Sequence, residues 1–111
     1  MANTFKNAAA AATGTSEVTV YTTPSSTTTT VIGLTCGNVT STSPILVSIR
    51  VYDSSGTAYY YVVKNAEVYT GGALVAVGGD QKLGLETGDL IRVVSDTASS
   101  VDTIVSVMEQ T

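Results

Sequence analysis

The 111-residue chain reads as all-β. The expected architecture is a two-layer antiparallel β-sandwich of jelly-roll or immunoglobulin-like topology, with about eight to ten short strands. Three observations carry this reading. Runs rich in Val, Ile, Thr and Tyr recur about every 10 residues, the spacing of strands in sandwiches and barrels. Ser, Thr, Gly and Asp punctuate those runs as turn residues do. Helix signals are nearly absent, so no crossover helices are on hand and neighbouring strands must pair mostly antiparallel.

Taken in order, residues 4–12 hold Ala and Lys, which favour helix, but the segment is too short for a stable isolated one. Residues 1–15 are therefore expected as an N-terminal arm or strand that contacts a neighbouring subunit, and 16–111 as one sandwich domain. Residues 18–22 alternate Val18 and Val20 with Thr19 and Tyr21, and Pro24 ends them. In 29–38, strict alternation sets Ile32, Leu34 and Cys36 against Val31, Gly33 and Thr35. Residues 45–52 are the clearest strand, with Ile45, Val47, Ile49 and Val51 on one side and Ser48, Arg50 and Tyr52 on the other. Asp53-Ser-Ser-Gly56 is a turn in which Asp bonds its own backbone and Gly accepts a positive φ, so 45–52 and 58–64 form a hairpin. Shorter strands follow at 67–70, 73–77, 82–85, 90–95 and 103–109, the last with Ile104 out of phase with Val105. The order of strands stays open.

Composition excludes most chemistry. There is no His, so a Ser/His/Asp triad is impossible, and no acid–base group is matched to neutral pH. There is no Trp to wall a sugar cleft, against a glycosidase. The net charge is −4, and Lys6, Arg50, Lys64, Lys82 and Arg92 are scattered, so nucleic acid is not an expected partner. The longest apolar run, 58–63, falls far short of the roughly 20 residues a membrane span needs. The N-terminal residues show no secretory signal pattern. A single cysteine, Cys36, allows no internal disulfide and fits a reducing cytoplasm. On the apolar side of its strand it reads as a packing residue.

Remaining motifs read as structure. Gly78-Gly79-Asp80 and Gly88-Asp89 lack the helix and the Lys-Ser/Thr pair of a phosphate loop and are expected as turns. Asp80, Glu86 and Asp89 lie close in sequence without Ca²⁺-loop spacing, and are expected as solvated turn acids. No metal or cofactor is expected. Asn38-Val39-Thr40 matches a glycosylation acceptor, but Asn38 also suits a turn. Tyr59, Tyr60 and Tyr61 alternate, so one set can pack beside Val63 while another faces out; Tyr21 and Tyr69 are treated alike. Candidate interface residues are Phe5, Lys6 and Asn7 on the arm, with Tyr60 and Tyr69. The uncharged stretch 27–38 would be hazardous at a sheet edge unless a second subunit covered it, which favours an oligomer.

Several segments, in their order, carry a resemblance. They are Met1-Ala-Asn-Thr-Phe-Lys-Asn7, Val20-Tyr-Thr-Thr-Pro24 and Thr30-Val-Ile-Gly-Leu34 before Asn38. Tyr61-Val-Val-Lys-Asn65 and Leu74-Val-Ala-Val-Gly-Gly-Asp-Gln-Lys-Leu83 follow. Leu85-Glu-Thr-Gly-Asp-Leu-Ile-Arg-Val93, Ser99-Ser-Val-Asp102 and Val105-Ser106 before Glu109 complete them. Over nearly its full length the chain resembles small structural (virion) proteins of tailed bacteriophages, especially marine and cyanobacterial phages. The resemblance implies a non-enzymatic virion component made in the bacterial host's cytoplasm. Its expected role is a capsid decoration or cement subunit, or else a neck, tail or fibre module with a carbohydrate- or receptor-binding role. Its implied partners are copies of itself, as a trimer or other cyclic homo-oligomer, and phage capsid or tail proteins. It implies no catalytic residue.

Overall fold

The structure, a computed structural model, describes residues 2–40, 42–79 and 81–111. Among these lie nine strands and no helix: β1 (Asn3–Thr13), β2 (Val18–Thr22), β3 (Thr28–Asn38), β4 (Ile45–Asp53), β5 (Ala58–Val68), β6 (Ala73–Val77), β7 (Leu83–Leu85), β8 (Leu90–Ser95) and β9 (Val101–Gln110). They form two antiparallel sheets, packed as the expected sandwich. The first has the order β1-β9-β3-β6, with β7 also paired to β3, and the second β2-β8-β4-β5. The pairing is nested: β1 with β9, β2 with β8, β3 with β6 and β7, β4 with β5. A long hairpin wrapped into two layers gives this order, which is a jelly roll and not an immunoglobulin-like arrangement.

Alternation makes the core. Ile45, Val47 and Ile49 of β4, Ile91 and Val93 of β8, Val105 and Val107 of β9, and Leu34 of β3 are fully buried between the layers. Each such side chain contributes about 1.5–3 kcal/mol of burial. Cys36 joins them, its thiol within 3.5 Å of the Thr103 hydroxyl, and burial pushes that thiol's pKa up.

Three local readings are corrected. First, strict alternation fails in β3. Its register against β9 slips between Val31 and Gly33, so Val31 is buried and Ile32 turns outward. A bulge inserts one unpaired residue and reverses the phase beyond it. Second, 58–64 and 67–70 are one strand. β5 continues through Asn65, which takes φ 53°, while the Ser48 hydroxyl accepts its N–H at 2.9 Å. Asn tolerates the left-handed region better than other side chains. Third, 27–38 is no edge. β3 lies between β9 and β6/β7, so this stretch calls for no second subunit.

The 53–56 turn forms, but by other means than expected. Positive φ falls on Thr57, not Gly56. A Cβ at Gly56 would stand 2.9 Å from the Asp53 carboxylate, so any larger residue there would make that side chain shift. The Gly88 turn, at φ 88°, is tied to this hairpin by Asp89. The Asp89 carboxylate accepts the Ser54 N–H and hydroxyl and the Glu86 N–H, all at 2.9 Å. Burial pushes its pKa up, but those donors pull it down further, to a net value below the ordinary one. Asp80 lies outside the described residues.

Candidate assembly interface

Segment 1–15 supplies β1, hydrogen-bonded along β9 from Asn3↔Gln110 to Thr13↔Val101. β1 is an outer strand of its sheet, so its far side keeps an open ladder edge. Alternation then divides the three arm candidates. Phe5 and Asn7, opposite Met108 and Ser106, face out from the sandwich. Lys6, opposite Val107, turns the other way, and its ammonium meets the Glu109 carboxylate at 3.1 Å.

Glu109 also joins the layers. Tyr21 of β2 donates its hydroxyl to Glu109 Oε2 at 2.5 Å and lies 2.9 Å from the Thr29 hydroxyl. The Tyr21 hydrogen bond, with Lys6 beside it, holds the Glu109 carboxyl below its ordinary pKa against the opposing pull of burial. Burial, and then the Glu109 charge, push the Tyr21 phenol up to about 12. Tyr21 is thus a buried anchor and not a surface tyrosine, a correction to its grouping with Tyr69. No short-range pattern marks it, because its partner stands 88 residues away.

Outward residues of the first sheet line up in rows across the strands. One row is Phe5, Met108, Thr30 and Gly84; another is Ala9, Ile104, Thr35 and Val75. Between them runs a lower row of Asn7, Ser106 and Gly33, where the Ser106 hydroxyl donates to Asn7 Oδ1 at 2.7 Å. The result is a shallow trough of about 270 Å³ bordered by Phe5 and Ile32. Phe5 is 70% exposed, Val75 64% and Ile104 53%. Ile104 was legible from its phase; Val75 was not, because strand order decides what it neighbours.

The second sheet's outer face differs in chemistry. Glu17, in the linker before β2, accepts both Arg50 Nε at 2.7 Å and Arg50 Nη2 at 2.8 Å, and Arg92 Nη1 at 3.2 Å. The Arg50 contact holds the Glu17 carboxyl below its ordinary pKa. The Arg50 guanidinium also lies 3.9 Å from the centre of the Tyr59 ring, which packs on Tyr52 at 4.8 Å. Sequence reasoning missed this cluster, since its charges come from three distant segments.

Tyr60 and Tyr69 are 61% and 66% exposed. Tyr60 lies near the start of β5 and Tyr69 just past its end, so about 30 Å of chain separates them at about 3.3 Å per residue. The structure does not bring them together, nor near Phe5, which belongs to the other sheet. None of Tyr59, Tyr60 and Tyr61 is buried; the residues of β5 that reach the core are Val62, Val63 and Val68, further along the strand. Asn38 is nearly buried; its amide donates to the carbonyls of Ser43 and Val68 at 3.0 Å each, and its oxygen accepts the Thr40 N–H and hydroxyl. That amide is spent on the Ser43 and Val68 carbonyls.

No protein-family model matches the chain, and no curated protein matches it. Among solved structures, a chain of the T13 IBDV viral particle superposes with a TM-score of 0.58 at 13% identity, covering 96% of this chain and 30% of that one. This chain therefore spans under a third of the viral-particle chain it resembles. The likeness is one of fold. A Bacillus endospore appendage protein, from disulfide-linked pili, gives 0.49 at 17% identity, over 99% of this chain and 85% of that one. A chain of the cyanophage Pam1 capsid asymmetric unit gives 0.38 at 17%, over 96% and 84%.

Proposed function

We propose that this protein is a non-enzymatic structural subunit of a virion, a decoration or cement protein that stabilises a phage head. The observation that carries the reading is a jelly roll that leaves large side chains exposed on its faces and edges. Jelly rolls recur in viral capsids and also in lectins, so the fold alone does not choose between them. The viral-particle neighbour and the resemblance to phage virion proteins favour the former. A subunit that binds only the assembled lattice stabilises it by mass action. The β1 edge, with Phe5 and Asn7 beside it, is the surface assigned to lattice contact, by strand addition to a neighbouring edge.

Particles assembled with and without the chain test this. Stoichiometric occupancy by quantitative mass spectrometry and a raised head-rupture temperature are expected. Absence of the chain from purified particles would overturn the reading. A second reading, a carbohydrate- or receptor-binding module on the neck, tail or fibre, draws on the exposed Tyr60 and Tyr69. Glycan-array binding lost in Tyr60→Ala would favour it.

A further inference from the structure

Among the described residues none covers the outer face of the first sheet, and its chemistry selects a partner. Among the described outward positions of β1, β9, β3 and β6, one is charged, Asp102 at a corner. Its carboxylate is already engaged by the Ala12 N–H at 2.7 Å. Lys6 and Glu109 belong to the same strands but pair on the opposite side. The other sheet's outer face, by contrast, carries Glu17, Arg50 and Arg92.

We infer that this neutral face is a dimer interface, on which a second copy packs sheet to sheet about a two-fold axis. The inference rests on the assembly reading above and names one contact within it. Charge is its first support. Each copy carries −4 and the two repel at long range, so contact costs least on the face whose single charge, Asp102, sits at a corner. A charged partner would gain nothing from this face, whereas an identical copy meets little like-charge penalty there. Shape is the second. The trough lies over Asn7 and Ser106 with Phe5 and Ile32 at its border, and the exposed Ile104 and Val75 stand in the next outward row beyond it. A two-fold related copy can seat a ridge in that trough while receiving one in return, which is the self-complementarity an isologous contact requires. Area is the third. Three strands of ten or eleven residues, with β6 and β7 sharing the fourth position along β3, present roughly 600 Å² in projection at ~3.3 Å per residue and ~4.8 Å per strand. Side-chain relief raises the accessible area towards the ~800 Å² per partner of a stable interface.

Sedimentation equilibrium of the full chain tests the inference. Wild type is expected as a monomer–dimer equilibrium. Ile104→Lys, on the inner strand β9, is expected to raise the dissociation constant about a hundredfold, and Phe5→Glu, on the outer strand β1, about tenfold. Lys64→Gln, on the other sheet, is expected to leave it unchanged. Urea midpoints for all variants confirm folding, since both substituted positions are solvent-facing. A wild type that stays monomeric to millimolar concentration overturns the inference, as do variants that associate like wild type. Should wild type be monomeric while the same variants abolish particle binding, the lattice and not a second copy covers this face. That outcome overturns the dimer and leaves the proposed function standing.

Discussion

At the residue scale, two buried carboxylates hold the fold where alternation alone would not. Glu109 receives Tyr21 from the facing sheet and Lys6 from the neighbouring strand, so one side chain joins three strands. Tyr21→Phe keeps the ring's packing and removes only the donor. A hydrogen bond to a charged acceptor contributes about 1.5–3 kcal/mol, and the loss is expected within that range by urea denaturation at neutral pH. The pH dependence follows from the sign of the shift. The folded-state pKa of Glu109 lies below its ordinary 4.5, so its contribution is complete above that value and is lost as pH falls through the lower folded value. The stability gap between wild type and Tyr21→Phe should therefore narrow in acid; a gap constant down to pH 3 would contradict the assignment. Asp89 acts comparably for two turns. Asp89→Ala leaves the Ser54 and Glu86 donors without their acceptor, and a cost of about 2–3 kcal/mol is expected in the same measurement.

At the element scale, legibility tracked how local the determining contacts are. The β4–β5 hairpin was readable because its alternation and its turn lie within twenty residues of sequence. The bulge at Ile32 was not, because it is defined by the register of β3 against β9, some seventy residues later. The edge or interior placement of 27–38 was hidden for the same reason. Phe5, Lys6 and Asn7 were marked by position on the arm, but their division into outward and inward sides needed the pairing with β9. β1 itself illustrates the limit. Its Ala-rich composition carries no strand signal, and its inward side buries little beyond Ala8 and Ala10. Backbone bonds to β9 hold it. Deleting residues 2–12 is thus expected to leave a cooperatively folding domain, weakened by about 2–3 kcal/mol from two small apolar side chains and the Lys6 pair. The same deletion tests the lattice role, since undiminished particle binding would remove the β1 edge from it.

At the scale of the whole molecule, nested pairing makes the two ends of the chain unequal. The Thr111 N–H reaches the Ala2 carbonyl at 3.0 Å, so the ends meet, yet they meet from different positions in the sheet. β1 lies outside, whereas β9 runs between β1 and β3 and carries the fully buried Val101, Val105 and Val107. Removing β9 strips the ladders of two strands at once and opens the core along its length. Each deleted Val in such a core costs on the order of 1.5–3 kcal/mol of burial alone, against a net stability of about 5–15 kcal/mol for a domain of this size. A chain ending at residue 100 is therefore expected to lose cooperative unfolding and the dispersed methyl signals of a packed core. The β1 deletion should keep both. Because β9 is central and pairs with strands some seventy to a hundred residues before it, the first sheet closes only through non-local contacts, and folding should be slow, in the millisecond-to-second range of non-local β topologies. Stopped-flow refolding of the full chain checks this, and a microsecond phase accounting for the whole amplitude would contradict the nested assembly of its strands.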